Sequence, residues 1–288
     1  MGLQFVAGTV LPLLLIVIMF GLGLGLSVAD LQRVIRYPRP VVIGLFCQTI
    51  LLPLVAFGLC HLFRLDPVFA VGLMLLAASP GGPTSNLFSK LTHGDVALNL
   101  TLTAVNSGIS PVTMPLIAGL AIQAFSGENQ EIGFQNKKLI EIFFLVVIPV
   151  SIGIFVNHKR TGLARMLEKP VRTFSVVALM LIIVATAFKE WNTLTENFAQ
   201  VGWAVLSFNI LSLTAGYFVP RAFRISNEQS IAIAFEIGIH NGALALFVAI
   251  SVLGSTAMAV PAAIYSILMY FTAGALSTYL NRRRVAGA

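Results

Sequence analysis

The chain of 288 residues is 57% hydrophobic and 10% charged, with a mean hydropathy of +0.92 and a formal net charge of +7. Soluble domains carry roughly 25% charged residues, so the composition excludes a soluble enzyme and points to a polytopic membrane protein with essentially no soluble part. The basic surplus does not indicate nucleic acid, because the Lys and Arg residues lie in short segments between apolar runs rather than on one face of a folded domain.

Nine apolar runs near the ~20 residues that a bilayer requires predict an all-α membrane protein. They lie at about 5–27, 40–63, 66–92, 95–124, 139–157, 172–189, 199–220, 228–253 and 256–281. The first run is expected to stay in the chain as a true span. Ser27-Val28-Ala29 has the small residues of a cleavage site, but Met1 to Gln4 hold no Lys or Arg and the run exceeds a signal-peptide core. Its glycines at 21, 23 and 25 would let a neighbouring helix approach closely. The second run carries Gln48 and Thr49 among Val, Ile and Leu. Its cysteines, Cys47 and Cys60, are 13 residues apart on one helix, or about 20 Å at 1.5 Å per residue, so they are read as unbridged packing residues.

The third run is interrupted. Ser79 to Asn86 read S-P-G-G-P-T-S-N, with two prolines that remove backbone donors and two glycines that weaken a helix. The fourth carries one polar stripe, because Asp95, Asn99, Thr103, Asn106 or Ser107, and Ser110 recur every three or four residues. A single Ser or Thr in a span commonly bonds its own helix or a neighbour; five polar residues on one face are read as lining a cavity. The eighth run is interrupted at Phe235 to Gly242, F-E-I-G-I-H-N-G. A charge at mid-membrane depth costs about 2.5–3.5 kcal/mol even on lenient insertion scales, and no Lys or Arg lies in the middle of another run to neutralise Glu236. The carboxyl is therefore either protonated or paired with a bound cation.

The segments after runs 1, 3, 5, 7 and 9 hold Arg33, Arg36, Arg39, Lys90, Lys159, Arg160, Arg165, Lys169, Arg172, Arg221, Arg224 and Arg282 to Arg284, which is 14 of the 18 Lys and Arg. The positive-inside rule then expects the N-terminus outside and the C-terminus in the cytoplasm. Dinucleotide and phosphate loops, a nucleophile elbow and metal-ligand spacings of the four histidines are not found. Glu236 and His240 could form an acid/base pair, but no nucleophile accompanies them, so no enzyme is expected.

A helix broken in mid-membrane exposes uncapped backbone groups where lipid cannot satisfy them. Carbonyls of Ile237 and Ile239 beside Glu236 would suit a hard cation such as Na⁺. The N–H groups after Pro83 and after Ile239 would suit an anion, with Thr84, Asn241 and Asn106 of the stripe as the substrate-binding side chains. Two broken helices in corresponding halves are the mark of a secondary transporter.

The stretches P-G-G-P-T-S-N (80–86), T-H-G-D-V-A-L-N-L-T-L-T (92–103) and E-I-G-I-H-N-G (236–242) resemble the bile acid:sodium symporter family, the last being similar to its E-x-G-x-Q-N motif. The resemblance covers nearly the whole chain. It implies one transporter domain over 1–288, built as inverted repeats, with two crossing broken helices (the third and eighth) in a core of about 40–124 and 199–281. A panel of about 5–27 and 139–189 would pack beside it. It implies sodium-coupled symport of an organic anion across the inner (plasma) membrane, with Na⁺ as coupling ion and no other cofactor. One sodium site would take Ser85, Asn86, Asn99, Thr103 and Glu236. A second would take Glu236, Gln48, the carbonyls of Ile237 and Ile239, and the residue at 240. The family has Gln there; His240 offers a nitrogen, a poorer ligand for Na⁺, and its protonation would compete with the cation. A proton-coupled carrier or an exporter of the same fold is the alternative, and an imposed Na⁺ or H⁺ gradient separates the two.

Overall fold

The computed structural model describes residues 11–25, 33–82, 84–126, 136–189 and 191–286. They form helices α1 (Leu11–Gly25), α2 (Pro38–Leu62), α3 (Pro67–Ala78), α4 (Ser85–Leu91), α5 (Val96–Ser126), α6 (Asn136–Lys159), α7 (Thr161–Lys189), α8 (Trp191–Ala222), α9 (Asn227–Gly238), α10 (Gly242–Phe247) and α11 (Val260–Ala286). No strand lies among the described residues, which hold one isolated antiparallel bridge, Gly81 to His240. Pro38–Leu62, Ala199–Ala222 and Ala257–Arg284 are each long and apolar enough to cross a membrane, and Val96–Ser110 with Val112–Phe125, bent by 58°, make a fourth such passage. Ser27 to Ala29 lie outside the described residues.

The helix starts follow local chemistry. Pro67 opens α3 after Asp66, where a missing N–H is harmless. Asp95 Oδ1 accepts from the Leu98 N–H (3.0 Å) at the start of α5, and Ser226 Oγ from the Gln229 N–H (3.2 Å) at the start of α9. Cys47 and Cys60 are buried and free.

Hydropathy misplaced one connection. The polar stretch between the fifth and sixth runs was expected as a loop, yet α7 begins at Thr161, directly after α6 ends at Lys159. Leu, Ala, Arg, Met, Glu and Lys are good helix formers, so the apolar run ends there and the backbone hydrogen bonding does not. α8 likewise begins at Trp191, ahead of the apolar run that starts near 199.

One helix ending recurs in the chain. Phe63-Arg64-Leu65 and Phe223-Arg224-Ile225 end α2 and α8 in the same way. Arg64 and Arg224 take positive φ (49° and 60°), and the Leu65 and Ile225 N–H groups reach back to the Cys60 and Pro220 carbonyls (2.9 and 3.0 Å). This is a left-handed C-cap that closes the helix and reverses the chain. The helices that follow, α3 and α9, are each 12 residues long. They enter from opposite ends of α8. Gln200, near its start, donates to the Phe63 and Arg64 carbonyls (2.7 and 2.8 Å), while Arg221, near its end, donates to Asn227 Oδ1 (2.7 Å).

Two groups of helices pack internally: α1, α6 and α7 on one another, and α2 to α5 with α8 to α11. In the first group α1 and α6 cross at glycines. A Cβ on Gly153 would lie 2.7 Å from the Gly23 carbonyl carbon and against the Phe20 carbonyl, and one on Gly23 would strike the Val150 carbonyl. Gly153→Ala is therefore expected to destabilise the protein by about 1–3 kcal/mol through overpacking and to lower its unfolding temperature in detergent. Gly58→Ala, where no atom stands within 4 Å of the added Cβ, should leave it unchanged or slightly raised.

Candidate functional site

The first break begins where proline forces it. Ser79, held extended ahead of Pro80 (φ −72°, ψ 144°), ends α3, and its hydroxyl turns back to the Leu76 carbonyl (2.7 Å). The second break holds no proline. α9 stops at Gly238 and Ile239 is extended (φ −121°, ψ 92°). The two extended stretches pair with each other: the Gly82 N–H donates to the Ile239 carbonyl (2.6 Å) and the Asn241 N–H to the Pro80 carbonyl (2.8 Å). The broken helices thus cross as a short antiparallel ladder in the protein interior.

This pairing uses groups that the sequence reading offered to an anion. Besides the Asn241 N–H, the Ser85 N–H bonds the Gly82 carbonyl (3.0 Å), the Gly242 N–H the His240 carbonyl (3.0 Å) and the Leu244 N–H Asn241 Oδ1 (3.2 Å). Those N–H groups are not free for a ligand. The Ile239 carbonyl, expected to face a cation, already accepts from Gly82 and keeps one further lone pair.

Glu236, wholly buried on the last turn of α9, is the acidic side chain at the crossing. Thr103 Oγ1 donates to its Oε2 at 2.6 Å and Ser85 Oγ reaches the same oxygen at 3.1 Å; Asn106 Nδ2 donates to Oε1 at 3.2 Å. All three partners are neutral. Ser85 also lies 2.9 Å from Asn99 Oδ1, so its one proton serves one acceptor at a time, and Asn99 Nδ2 is tied to the Ala232 carbonyl (2.8 Å). A Cβ on Gly81 would collide with the carboxylate, so glycine is what lets the first break pass so close. Asn86 Oδ1 and Asn106 Oδ1 are buried without hydrogen-bond partners.

A second cluster meets at the Ser79 carbonyl. Gln48 Nε2 donates to it (2.9 Å) and to the Ala77 carbonyl (3.3 Å), and His240 Nδ1 lies 3.0 Å from it. Because a carbonyl only accepts, Nδ1 carries the proton, and a neutral ring turns its lone pair out at Nε2. Both Nε2 and Gln48 Oε1 are buried and unpartnered. The ring is wedged by Phe208 (5.6 Å between centroids) and Tyr265 (5.3 Å). Gln48 sits in a π-helical turn, Cys47–Leu51, inside α2, a distortion frequent at functional sites.

The structure thus brings Ser85, Asn99, Thr103, Asn106 and Glu236 into one bonded group, and Gln48 and His240 onto the Ser79 carbonyl. Thr84 precedes α4, half-buried, with a hydroxyl that caps nothing, and Asn241 is engaged in its own cap through Oδ1. Sequence reasoning did not single out Asn209 and Tyr265. Asn209 Nδ2 (3.0 Å) and Tyr265 OH (2.9 Å) both donate to the Gly238 carbonyl, the end of α9, and Thr272 bonds Asn209 Oδ1. Their one sequence signal is polarity inside apolar runs, which many packing residues share. Among the described residues no three His, Cys, Asp or Glu side chains come together. One carboxylate amid hydroxyl, amide and carbonyl oxygens instead fits a hard monovalent cation beside unwound backbone.

Comparison with known proteins agrees in kind. The profile of the sodium bile acid symporter family matches residues 12–197. An uncharacterized sodium-dependent transporter, YocS of Bacillus subtilis (strain 168), is 30% identical over 272 residues, covering 93% of this chain and 81% of that protein. The probable sodium/metabolite cotransporter BASS1, chloroplastic, of Oryza sativa subsp. japonica is 27% identical over 86% of this chain, and the human sodium-dependent organic anion transporter 27% over 83%. The chain spans 60% and 63% of the length of these two. On the family profile and the Bacillus relative together, the chain belongs to the sodium bile acid symporter family, a family of transporters and not of enzymes.

Proposed function

We propose that the protein is a secondary active transporter that carries a small organic anion across the plasma membrane with Na⁺ by alternating access. The observation that carries this reading is the buried Glu236 carboxylate, whose hydrogen-bond partners are all neutral and include the Asn106 amide, whose own oxygen lacks a donor. Such a group asks for a cation. A cation that neutralises it at the crossing also offers positive charge to a substrate carboxylate nearby, where Thr84 and the Asn241 amide are the proposed contacts. Family membership and the names of the relatives support the coupling ion and the substrate class.

In this reading α1, α6 and α7 form a panel, and α2 to α5 with α8 to α11 form a core. Counting α3–α4 and α9–α10 as one broken span each gives nine spans, and the opposed ends at which α3 and α9 begin match an inverted repeat. The N-terminus lies outside and the C-terminus in the cytoplasm. In support, the end of α11 lies against the end of α4, where Asn281 Nδ2 donates to the Leu91 carbonyl (3.1 Å), so Lys90 and Arg282 to Arg284 share one side. Cysteines introduced as Arg283→Cys and Gln200→Cys should be labelled by an impermeant thiol reagent from the cytoplasmic and outer sides respectively. Labelling of both from one side would refute the arrangement.

Glu236→Gln keeps shape and removes the charge. Uptake into proteoliposomes driven by an imposed Na⁺ gradient is expected to fall to background, while the protein still inserts and folds. Sodium-dependent uptake that survives in this variant would remove Glu236 from coupling.

One observation favours a departure from coupling to two sodium ions. At the second cluster His240 presents a nitrogen where an amide oxygen would serve Na⁺ better. His240→Gln is expected to make uptake more cooperative in sodium. Superimposable sodium titrations of wild type and variant would show that residue 240 has no part in coupling. Uptake driven by an H⁺ gradient without Na⁺ would favour the proton-coupled carrier instead.

A further inference from the structure

Asn106 lies one turn beyond Thr103 on α5 and is 3% exposed. Its two amide atoms have different fates. Nδ2 donates to Glu236 Oε1, while Oδ1 is buried with no hydrogen-bond partner. The carboxylate enforces this orientation, because a flipped amide would set a carbonyl oxygen against a carboxylate oxygen, acceptor against acceptor. Nor can the carboxylate swing away, with Thr103 and Ser85 on Oε2 and Gly81 packed against it. Asn86 Oδ1 is a second buried orphan, on the residue beside Ser85. Such orphans ask for an unseen partner. An organic anion would be repelled by an oxygen that can only accept; a hard cation is drawn to it.

We infer that Asn106 is a ligand of the cation held by Glu236, giving its carbonyl oxygen to the ion and its N–H to the carboxylate, and is not a substrate contact. This rests on the sodium-coupled reading above and adds a residue to its site. Because both atoms belong to one planar amide, an ion on Oδ1 stands within reach of Oε1, the carboxylate oxygen that no hydroxyl occupies.

The test is thermal unfolding of the purified full-length protein in detergent without substrate, with Na⁺ titrated against choline at constant ionic strength. A ligand that binds only the folded state raises the unfolding temperature, so the half-effect concentration reports sodium affinity without any transport. Wild type should be stabilised by Na⁺ and Glu236→Gln should not. Asn106→Leu, similar in size, should raise the half-effect concentration about tenfold or more. Asn106→Asp loses the N–H but keeps oxygens, and sets a second carboxylate beside Glu236. It should keep the Na⁺ response with a larger rise in unfolding temperature.

A wild-type response in Asn106→Leu, with Glu236→Gln unresponsive, would overturn this inference alone. So would an Asn106→Asp protein that folds but ignores Na⁺, which would reduce Asn106 to a donor positioning the carboxylate; that outcome decides the matter even if the Leu variant does not fold. Absence of any Na⁺ effect on wild type would overturn the sodium reading, and this inference with it.

Discussion

The crossing of the two breaks is a constraint on hydrogen bonding before it is anything else. Inside a bilayer an unpaired N–H or C=O costs several kcal/mol, and each interrupted helix leaves such groups at its ends. Here each break supplies what the other lacks: Gly82 donates to Ile239, and Asn241 to Pro80. Neither break is satisfied without its partner. Pro80 starts the first break by chemistry of its own; the second is extended because the first is there to pair with it. Gly81 completes the arrangement by leaving room for the Glu236 carboxylate.

The carbonyls that remain are held by amides from elsewhere in the fold. Gln48 on α2 donates to Ala77 and Ser79 at the end of α3, and Asn209 on α8 donates to Gly238 at the end of α9. The amides play parallel parts in the two units that begin after Arg64 and Arg224, but their oxygens differ. Asn209 Oδ1 is bonded by Thr272, whereas Gln48 Oε1 is left buried and open. The first amide keeps an unpartnered oxygen, and the second has none.

A carboxyl group with no basic partner among the described residues sits at the centre of this ladder. Thr103, Ser85 and Asn106 give it hydrogen bonds but no positive charge. The proposed cation would therefore tie together α4, α5 and α9 at the one point where both breaks meet. Binding an ion and ordering the crossing would be the same event, which is the physical basis on which an ion gradient could bias a transporter between states.

Much of this was legible in the residues. Long apolar runs are read directly from composition, prolines mark the first break, and a lone Glu in an apolar run marks a functional charge. The polar stripe at Asn99, Thr103 and Asn106 reflects only helical periodicity, and it is this stripe that meets Glu236. What the residues could not tell was how backbone groups pair across 150 positions or more. Several N–H groups read as free for an anion, those of Ser85, Asn241, Gly242 and Leu244, are bonded within the crossing, because a free donor is known only once every neighbour is placed. The helix through 161–171 was hidden for a related reason: hydropathy records where a chain prefers lipid and says nothing of where its hydrogen bonds continue. The sequence by itself determined the class of protein, the sites of the breaks and the residue types near them. Only the tertiary structure decided which atoms are already satisfied and which are left for a ligand, since that balance is struck between segments far apart in the chain.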